Sequence, residues 1–462
     1  MNKISNSRFF HAGFGCLVLA LSAGCSKAAD TSSPTIAEPE AKQADHARVV
    51  LGDVVPARIY KLSTPPSLTE ETLSVSTASS PKIPLGLPTK MEARSFKETY
   101  LFIDAGSTAS TVSIPIDAPD GATIHLLPRG TDEAGHLAAL RDLQLFEPSG
   151  KTRLDLRVAK AADSLKDKDA ESLPMVSIDL PAMTKGSYSL KVGDIAAKTG
   201  VAIFVQLPKS TIQMDVTPSD AQFFPGDKGS VSIKLADAGA PITGASLEGH
   251  LVRPDGSPAQ SVAIRELGDG VYQADVANAV GANDPYGMYN VFVRAKGTSN
   301  GASFDRFGTT AMQFVVPNGR LLGTAVPRTN RDADGKIVSF DVDVNVEAAS
   351  TDRFEVSALL TTSYVDGTER PVAEAQTASI VNAGNSTITL HFEAGFIALS
   401  KFDGVLNLRR LTLYSQGTFS LLHRLGLGLD VKMPAFKLAE LKALDVLPPR
   451  LQKDFERKAF EL

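Results

Sequence analysis

From Val338 to Val346 the chain alternates strictly. Val338, Phe340, Val342, Val344 and Val346 are apolar, and Ser339, Asp341, Asp343 and Asn345 between them are polar. A period of two puts every apolar side chain on one face of a pleated strand and leaves the other face to water. The same alternation runs through Tyr289, Val291, Val293 and Ala295, and through Tyr188, Leu190 and Val192. Turn signals at Pro148-Ser149-Gly150, Pro254-Asp255-Gly256, Gly268-Asp269-Gly270 and Asp366-Gly367 break these runs at short intervals. That layout predicts an all-β chain of antiparallel sandwiches. Helical signals are confined to the C-terminal end, where 435–444 and the segment after Pro448-Pro449 predict a short helical tail.

An internal repeat divides the strands into units. VSIPIDA (112–118), LFEPSG (145–150) and GSYSLKV (186–192) recur in order as VSIKLAD (231–237), LVRPDG (251–256) and GMYNVFV (287–293). The turn prolines lie 106 residues apart and the tyrosines 101, so a unit of about a hundred residues is used twice. The motif Gly-x-Tyr before alternating apolar residues resembles the start of a late strand in bacterial Ig-like domains, where the tyrosine closes a corner beneath the sheet. The alternative is that Tyr188 and Tyr289 are ordinary strand aromatics. A third unit has a different order: an Asp/Gly-rich hairpin with its following strand (330–346), then DRFEVSALL (352–360), NSTITLHFEAGFIA (385–398) and NLRRLTLYSQG (407–417). It resembles a β-sandwich module of large exported bacterial proteins. The expected fold is therefore three consecutive Ig-like antiparallel β-sandwiches with a short helical tail.

The N-terminus carries a different signal. Lys3 and Arg8 precede a largely apolar run from Ala12 to Ala23, too short to span a bilayer core. Leu21-Ser22-Ala23-Gly24-Cys25 resembles the lipobox of bacterial lipoproteins, which implies cleavage before Cys25 and acylation of its thiol. A plain secretory signal with an incidental cysteine, or a short membrane helix, are the competing readings. The chain has two cysteines, Cys16 and Cys25, and the first lies within the segment to be removed, so no intramolecular disulfide is expected. Two or more acyl chains anchor far more firmly than one. Ser26 stands where aspartate usually marks inner-membrane retention in such proteins, so the resemblance implies an outer-membrane lipoprotein.

Residues 25–47 are rich in Ala, Ser, Pro, Glu, Lys and Asp, a composition that predicts an unstructured tether. Pro56, Pro65, Pro66, Pro81, Pro84 and Pro88 then predict extended chain. The expected organisation is a signal peptide (1–24), tether (25–47), first sandwich with extended lead-in (48–208), second sandwich (209–317), third sandwich (318–432) and helical tail (433–462). Without the signal the chain has 45 basic and 52 acidic residues, a formal charge of −7, from the 47 and 52 of the whole sequence less Lys3 and Arg8. No basic cluster tracks a phosphate backbone, and this argues against nucleic acid as a partner.

The sharpest cluster of candidate ligands is Asn330, Asp332, Asp334, Gly335 and Asp341. Counted from Asn330, oxygen donors fall at positions one, three, five and twelve and glycine at six, the spacing of an EF-hand-type calcium loop. An Asp-Gly hairpin turn accounts for the same residues, and the expected flanks are strands rather than helices. Asp341 and Asp343 share a strand face, which suits a solvated surface better than an acid–base pair. His46, His125, His136, His250, His391 and His423 are scattered without zinc-site spacing. Ser79 and Lys82 form a Ser-x-x-Lys interrupted by Pro81, and Arg409, Arg410 and Arg424 are candidates for an acidic partner.

Anchor, tether and three sandwiches together resemble an exported bacterial family of unknown function with three Ig-like parts, over roughly 48–432. The resemblance implies architecture and no activity. The expected function is a lipid-anchored envelope protein of no assigned enzymatic activity that displays Ig-like domains to a protein or glycan, with calcium as the sole candidate cofactor. The alternatives are a hydrolase or hydrolase accessory whose site is assembled from distant residues, and an envelope chaperone or protease-interacting protein.

Overall fold

The computed structural model describes residues 50–65, 67, 69–80, 82–87, 91–106, 111–118, 121–128, 144–150, 153–154, 158–159, 176–180, 184–192, 200–257, 260–276, 284–364, 367–429, 431 and 433–444. Cys25, the signal and tether segments, His46, His136 and the second predicted tail helix lie outside the described residues. The chain divides into two compact units, one drawing on Met91–Gly281 and Met288–Gln313, the other on Ala28–Lys90, Ala282–Gly287 and Phe314–Leu462.

The first unit holds two sandwiches. In the first, a sheet ordered Thr111–Ile116, Gly186–Lys191, Gln144–Phe146 and Arg153–Leu154 faces a sheet ordered Thr99–Ile103, Val201–Gln206, Ala122–Pro128, Val176–Leu180 and Val158–Ala159. Their inward residues, among them Ile114, Ile116, Ile124, Leu126, Leu145, Ile178, Leu190 and Ile203, form one core without solvent exposure. Each such side chain contributes about 1.5–3 kcal/mol by leaving water. Tyr188 closes the corner expected of it: its hydroxyl donates to the Thr184 carbonyl at 2.9 Å.

The second sandwich pairs a sheet of Ile264–Gly268, Val271–Asp275, Ser230–Asp237, Ile212–Pro218 and Arg94–Phe96 with one of Gln222–Phe223, Ala302–Phe314, Gly287–Ser299, Ser246–Val252 and Gln260–Val262. The repeat is real at the level of strand register. Leu145 pairs Leu190, and adding the repeat offsets of 106 and 101 residues gives Leu251 and Val291, which pair as well. Its first segment is not equivalent, however. Ile114 pairs Tyr188 directly, whereas Ile233 pairs Tyr272 in the sheet opposite Tyr289. Alternation sets which residues of a strand are buried and leaves open which sheet the strand joins.

The second unit is a sandwich of a five-stranded sheet (Leu73–Ala78, Glu369–Val381, Asp352–Ser363, Leu406–Ser415, Ser420–Leu425) and a three-stranded sheet (Gly319–Arg331, Ile337–Ala348, Gly384–Glu393). Phe340, Val342, Val344 and Val346 are buried as the alternation requires, whereas at the start of the run Val338 is half-buried and Ser339, expected in water, is buried. The start of the 48–208 assignment is corrected here. The proline-broken lead-in belongs to the C-terminal sandwich, where it straps both outer edges of the larger sheet. Leu73–Ala78 pairs along Glu369–Val381, and Val54 forms an antiparallel bridge with Arg424. Unpaired edges template association with other chains, so the strap supplies both edges with backbone partners.

The tail is corrected too. Of 435–444 only Leu438–Glu440 turns, as a single 3-10 turn. Phe436 exchanges backbone hydrogen bonds with Gly404, its ring packs on Phe340, and Lys442 N–H donates to the Ile337 carbonyl. Tertiary pairing outweighs a weak local helical preference. The one described α-helix in this unit is the short Ala394–Ala398.

Candidate functional site

The predicted calcium residues fold as a hairpin. The strands Gly319–Arg331 and Ile337–Ala348 flank a turn in which Asp332 accepts backbone hydrogen bonds from Asp334 (3.1 Å) and Lys336 (3.0 Å) and pairs with Lys442 at 3.3 Å. These donors hold the Asp332 carboxyl below its usual range against its desolvation. Gly335 takes φ +79°, the left-handed geometry such a turn requires. Asn330 donates to Asp341 at 2.7 Å along the strands, away from the tip. Among the described residues no three His, Cys, Asp or Glu side chains gather as a metal-holding group, so Asp332, Asp334 and Asp341 do not converge. Strand geometry is the reason: a two-stranded hairpin sends Asp341 down the ladder, where a helix-flanked loop would return it to the turn.

Asp341 and Asp343 do share a face, inside a row of cross-strand polar contacts. Asp341 meets His391 at 2.8 Å, and Asp343 accepts from Arg328 at 2.8 Å and Thr389 at 2.6 Å. His423 is fully buried and accepts the Leu321 N–H at 3.0 Å. His125 lies between Ser177 (2.8 Å) and Gln206 (3.2 Å) and stacks on Phe204. Ser177 is its direct cross-strand neighbour, so the contact follows from register. Arg409 pairs with Glu369 at 2.9 Å, and Arg424 reaches the Gly52 carbonyl at 2.7 Å, so both are engaged within the sandwich and its strap. Ser79 holds the strap through its backbone, donating to Val372 at 3.2 Å.

Two clusters of buried charge were not singled out from the sequence. The first lies where the two sandwiches of the N-terminal unit meet. Arg306 is fully buried and donates to Asp117 (2.5 Å), Ser210 (2.6 Å), the Ile212 carbonyl (3.1 Å) and the Asp305 carbonyl (2.8 Å). Burial pulls its pKa down and the Asp117 carboxylate opposes that pull; an arginine stays protonated regardless. Beside it Asp305 accepts from Thr99 (3.0 Å) and from Arg294 (2.6 Å). Tyr100 stacks on Phe204 at 4.4 Å and meets Phe307 at 5.0 Å, continuing the contact between sandwiches. Burial raises the Glu98 carboxyl and the Tyr100 phenol, the latter also through the charge of Glu98. The stacked rings spend their faces on each other, so the seam is built as a joint.

The second cluster sits at one end of the C-terminal sandwich. Asp352, 5% exposed, accepts from Asn318 (2.8 Å), Ser415 (2.5 Å) and the Arg353 N–H (2.7 Å). Ser415 in turn accepts the Thr418 N–H at 3.1 Å, so the carboxylate fixes the turn between Leu406–Ser415 and Ser420–Leu425. A Cβ on Gly417 would collide with that carboxylate and with Thr64, which makes glycine obligatory there. Arg353 donates to Gln416 (2.9 Å) and to the Thr69 carbonyl (3.1 Å) of the strap. Burial, then the Asp352 charge, pushes the Tyr286 phenol up. A buried carboxylate is costly unless hydrogen-bonded; this one is, and its bonds immobilise a loop at the sandwich end.

Both clusters have a signal in the chain. Arg306 occupies the buried phase set by Phe304, Met312 and Phe314, and Asp352 the phase of Phe354, Val356 and Leu360. A charge on the apolar beat of an alternating strand marks a paired interior charge or a strand end.

A family profile described as the DUF4785 C-terminal domain, a domain of unknown function, matches residues 324–430. Among solved structures, a DUF4785 family protein from Legionella pneumophila superposes with a TM-score of 0.60 at 16% identity, covering 85% of this chain and 99% of that one. An α2-macroglobulin from Salmonella covers 70% of this chain and 23% of its own at 12% identity, with a TM-score of 0.21. One from Escherichia coli covers 70% and 33% at 11% identity, with a TM-score of 0.19. No functionally curated protein matches. The likeness to the Legionella protein supports the all-β fold, and the family domain brings no activity with it.

Proposed function

We propose that this chain is a bacterial envelope lipoprotein, acylated at Cys25 and directed to the outer membrane, which displays Ig-like sandwiches to a protein or glycan and carries no catalysis of its own. The observation that bears most weight is the Asp352 cluster. A buried carboxylate and two buried side-chain partners are used to hold a single end loop still, the arrangement a rigid scaffold needs to present a contact surface. The strongly desolvated groups at the other cluster, Arg306 and Glu98, belong to an interdomain joint, which favours a scaffold over a reaction centre.

The lipid anchor is tested by fractionation and by mass analysis of the natural protein. Wild type is expected in the membrane fraction with an acylated N-terminal cysteine, and Cys25→Ser in the soluble fraction. Persistence of Cys25→Ser in the membrane, or an unmodified thiol in the wild type, contradicts the anchor. The hydrolase reading has one geometric foothold, His125 between Ser177 and Gln206. It predicts fluorophosphonate labelling of Ser177, whereas the scaffold reading predicts none.

A further inference from the structure

We infer that this protein pairs with a second copy of itself, edge to edge along Leu73–Ala78, the two strands running antiparallel about a twofold axis near Ser76. The inference goes beyond the display function and holds whether or not Cys25 is acylated. Leu73–Ala78 covers one edge of the larger sheet of the C-terminal sandwich by pairing with Glu369–Val381, and so becomes the edge itself. Among the described residues no strand pairs with its other side. An open edge is a row of backbone donors and acceptors that another strand can take up.

Two other edges of this sandwich are guarded, and this one is not. At the far side of the same sheet Val54 bridges Arg424, and Asp53 accepts the Gly426 N–H at 2.6 Å. The edge strand Gly319–Arg331 of the smaller sheet carries Pro327, Arg328 and Arg331, with a register shift between Leu321 and Ala325. Proline, charge and bulges keep an edge from recruiting a neighbour. Leu73–Ala78, with the sequence LSVSTA, has neither proline nor charge, and its pairing runs without a bulge.

The polarity of the strand is inverted as well. Ser74 Oγ lies 2.9 Å from Oγ1 of the buried Thr377, and Ser76 Oγ accepts the Glu393 N–H at 3.0 Å, so the serines point inward. Leu73 and Val75 therefore face out, 53% and 58% exposed, beside the 37% exposed Ile380. A slip of one residue would turn both inward, and the serine contacts hold the register against it. The result is an aliphatic ledge along an open edge. In antiparallel pairing about Ser76, Val75 of each copy stands opposite Thr77 of the other, a pair of β-branched side chains on one face.

Charge selects a second copy as the occupant. Glu70 and Glu71 precede the strand and Lys82 follows it; all three are exposed, and none enters an ion pair among the described residues. The chain between them, 72–81, is uncharged. Antiparallel pairing brings the acidic end of each copy to the basic end of the other, twice by symmetry, whereas parallel pairing would set like charges together. An order of acid, neutral stretch and base is complementary to its own reverse, as an isologous twofold interface requires.

The test uses the full-length protein. A photo-crosslinking phenylalanine analogue at Val75, in cells, should give an adduct of twice the chain's mass whose cross-linked peptide falls within 70–82 of the second copy. The same analogue at Val326, 55% exposed on the guarded edge, should give none. Sedimentation of the detergent-solubilised protein then reads the dimer constant. Lys82→Glu, and separately Glu70→Lys with Glu71→Lys, should each weaken dimerisation at least about tenfold without lowering the melting temperature. All three exchanged together should return to within about threefold of wild type, because the opposed charges are restored with their signs reversed. A wild-type protein that sediments only as a monomer, no self-adduct at 75, an adduct there with a different protein or with lipid alone, or a triple exchange as weak as its parents overturns the pairing.

Discussion

Arg306→Met tests whether buried charge holds the first two sandwiches together. The substitution removes a guanidinium with no solvent exposure and leaves Asp117 charged at a site where its side chain is 1% exposed. Among the described residues Asp117 Oδ1 already has no hydrogen-bond partner, so loss of the arginine strips the carboxylate of its strongest compensation, and the Ile212 carbonyl loses a donor as well. Breaking one side of a buried pair typically costs about 3–5 kcal/mol. For a unit of the size of Met91–Gly281 with Met288–Gln313, each kcal/mol moves the melting temperature by about 2–4 °C, so a fall of about 6–20 °C is expected. Scanning calorimetry reads this directly. The companion double variant, Asp117→Leu with Arg306→Met, removes both charges and should recover most of the loss, because an apolar pair does not suffer the stranded ion. A fall of less than about 2 °C in Arg306→Met, or losses that simply add in the double variant, would refute the reasoning.

Deleting 50–87 should leave the C-terminal sandwich with two bare sheet edges, so the truncated protein is expected to aggregate or to be cut rapidly within 314–444 in limited proteolysis; a monomer as resistant as wild type would show the strap to be dispensable. Glu98→Gln should flatten the pH dependence of stability. Burial raises the folded-state pKa of Glu98 above its unfolded value, so the folded protein binds that proton more tightly and loses stability as pH climbs from the ordinary glutamate range through the raised value. Urea midpoints across that interval should fall in wild type but not in Glu98→Gln, and parallel curves would contradict this. Calcium should leave the melting of the C-terminal sandwich unchanged, since Asp332 is engaged by its own turn and Lys442; heat on titration together with a raised melting temperature would restore the loop as a calcium site.

Much of the fold is legible in the period-two pattern. The alternation of Val338–Val346 places Phe340, Val342, Val344 and Val346 in a core, and the repeat of LFEPSG and GSYSLKV carries the Leu145–Leu190 pairing over to Leu251–Val291. The strap is not legible, because its partners lie far along the chain: Leu62 bonds Ser350 and Asp53 bonds Gly426, pairings that no local pattern encodes. Prolines mark that segment as extended without saying what it extends along. The tail fails for a related reason, its helical spacing being overridden by Phe436 and Lys442 pairing with remote strands. Of the candidate site, the Asp/Gly hairpin is visible as a turn, whereas the clusters around Arg306 and Asp352 become visible only once each strand's buried phase is known.

The scaffold account is tested most directly by amide hydrogen exchange of the intact protein with and without detergent-solubilised envelope proteins. It predicts slowed exchange at 415–420 and the neighbouring 350–352 and 381–383, with the seam around Arg306 already protected and unchanged. Slowed exchange confined to the sheet faces, or no difference anywhere, would contradict it.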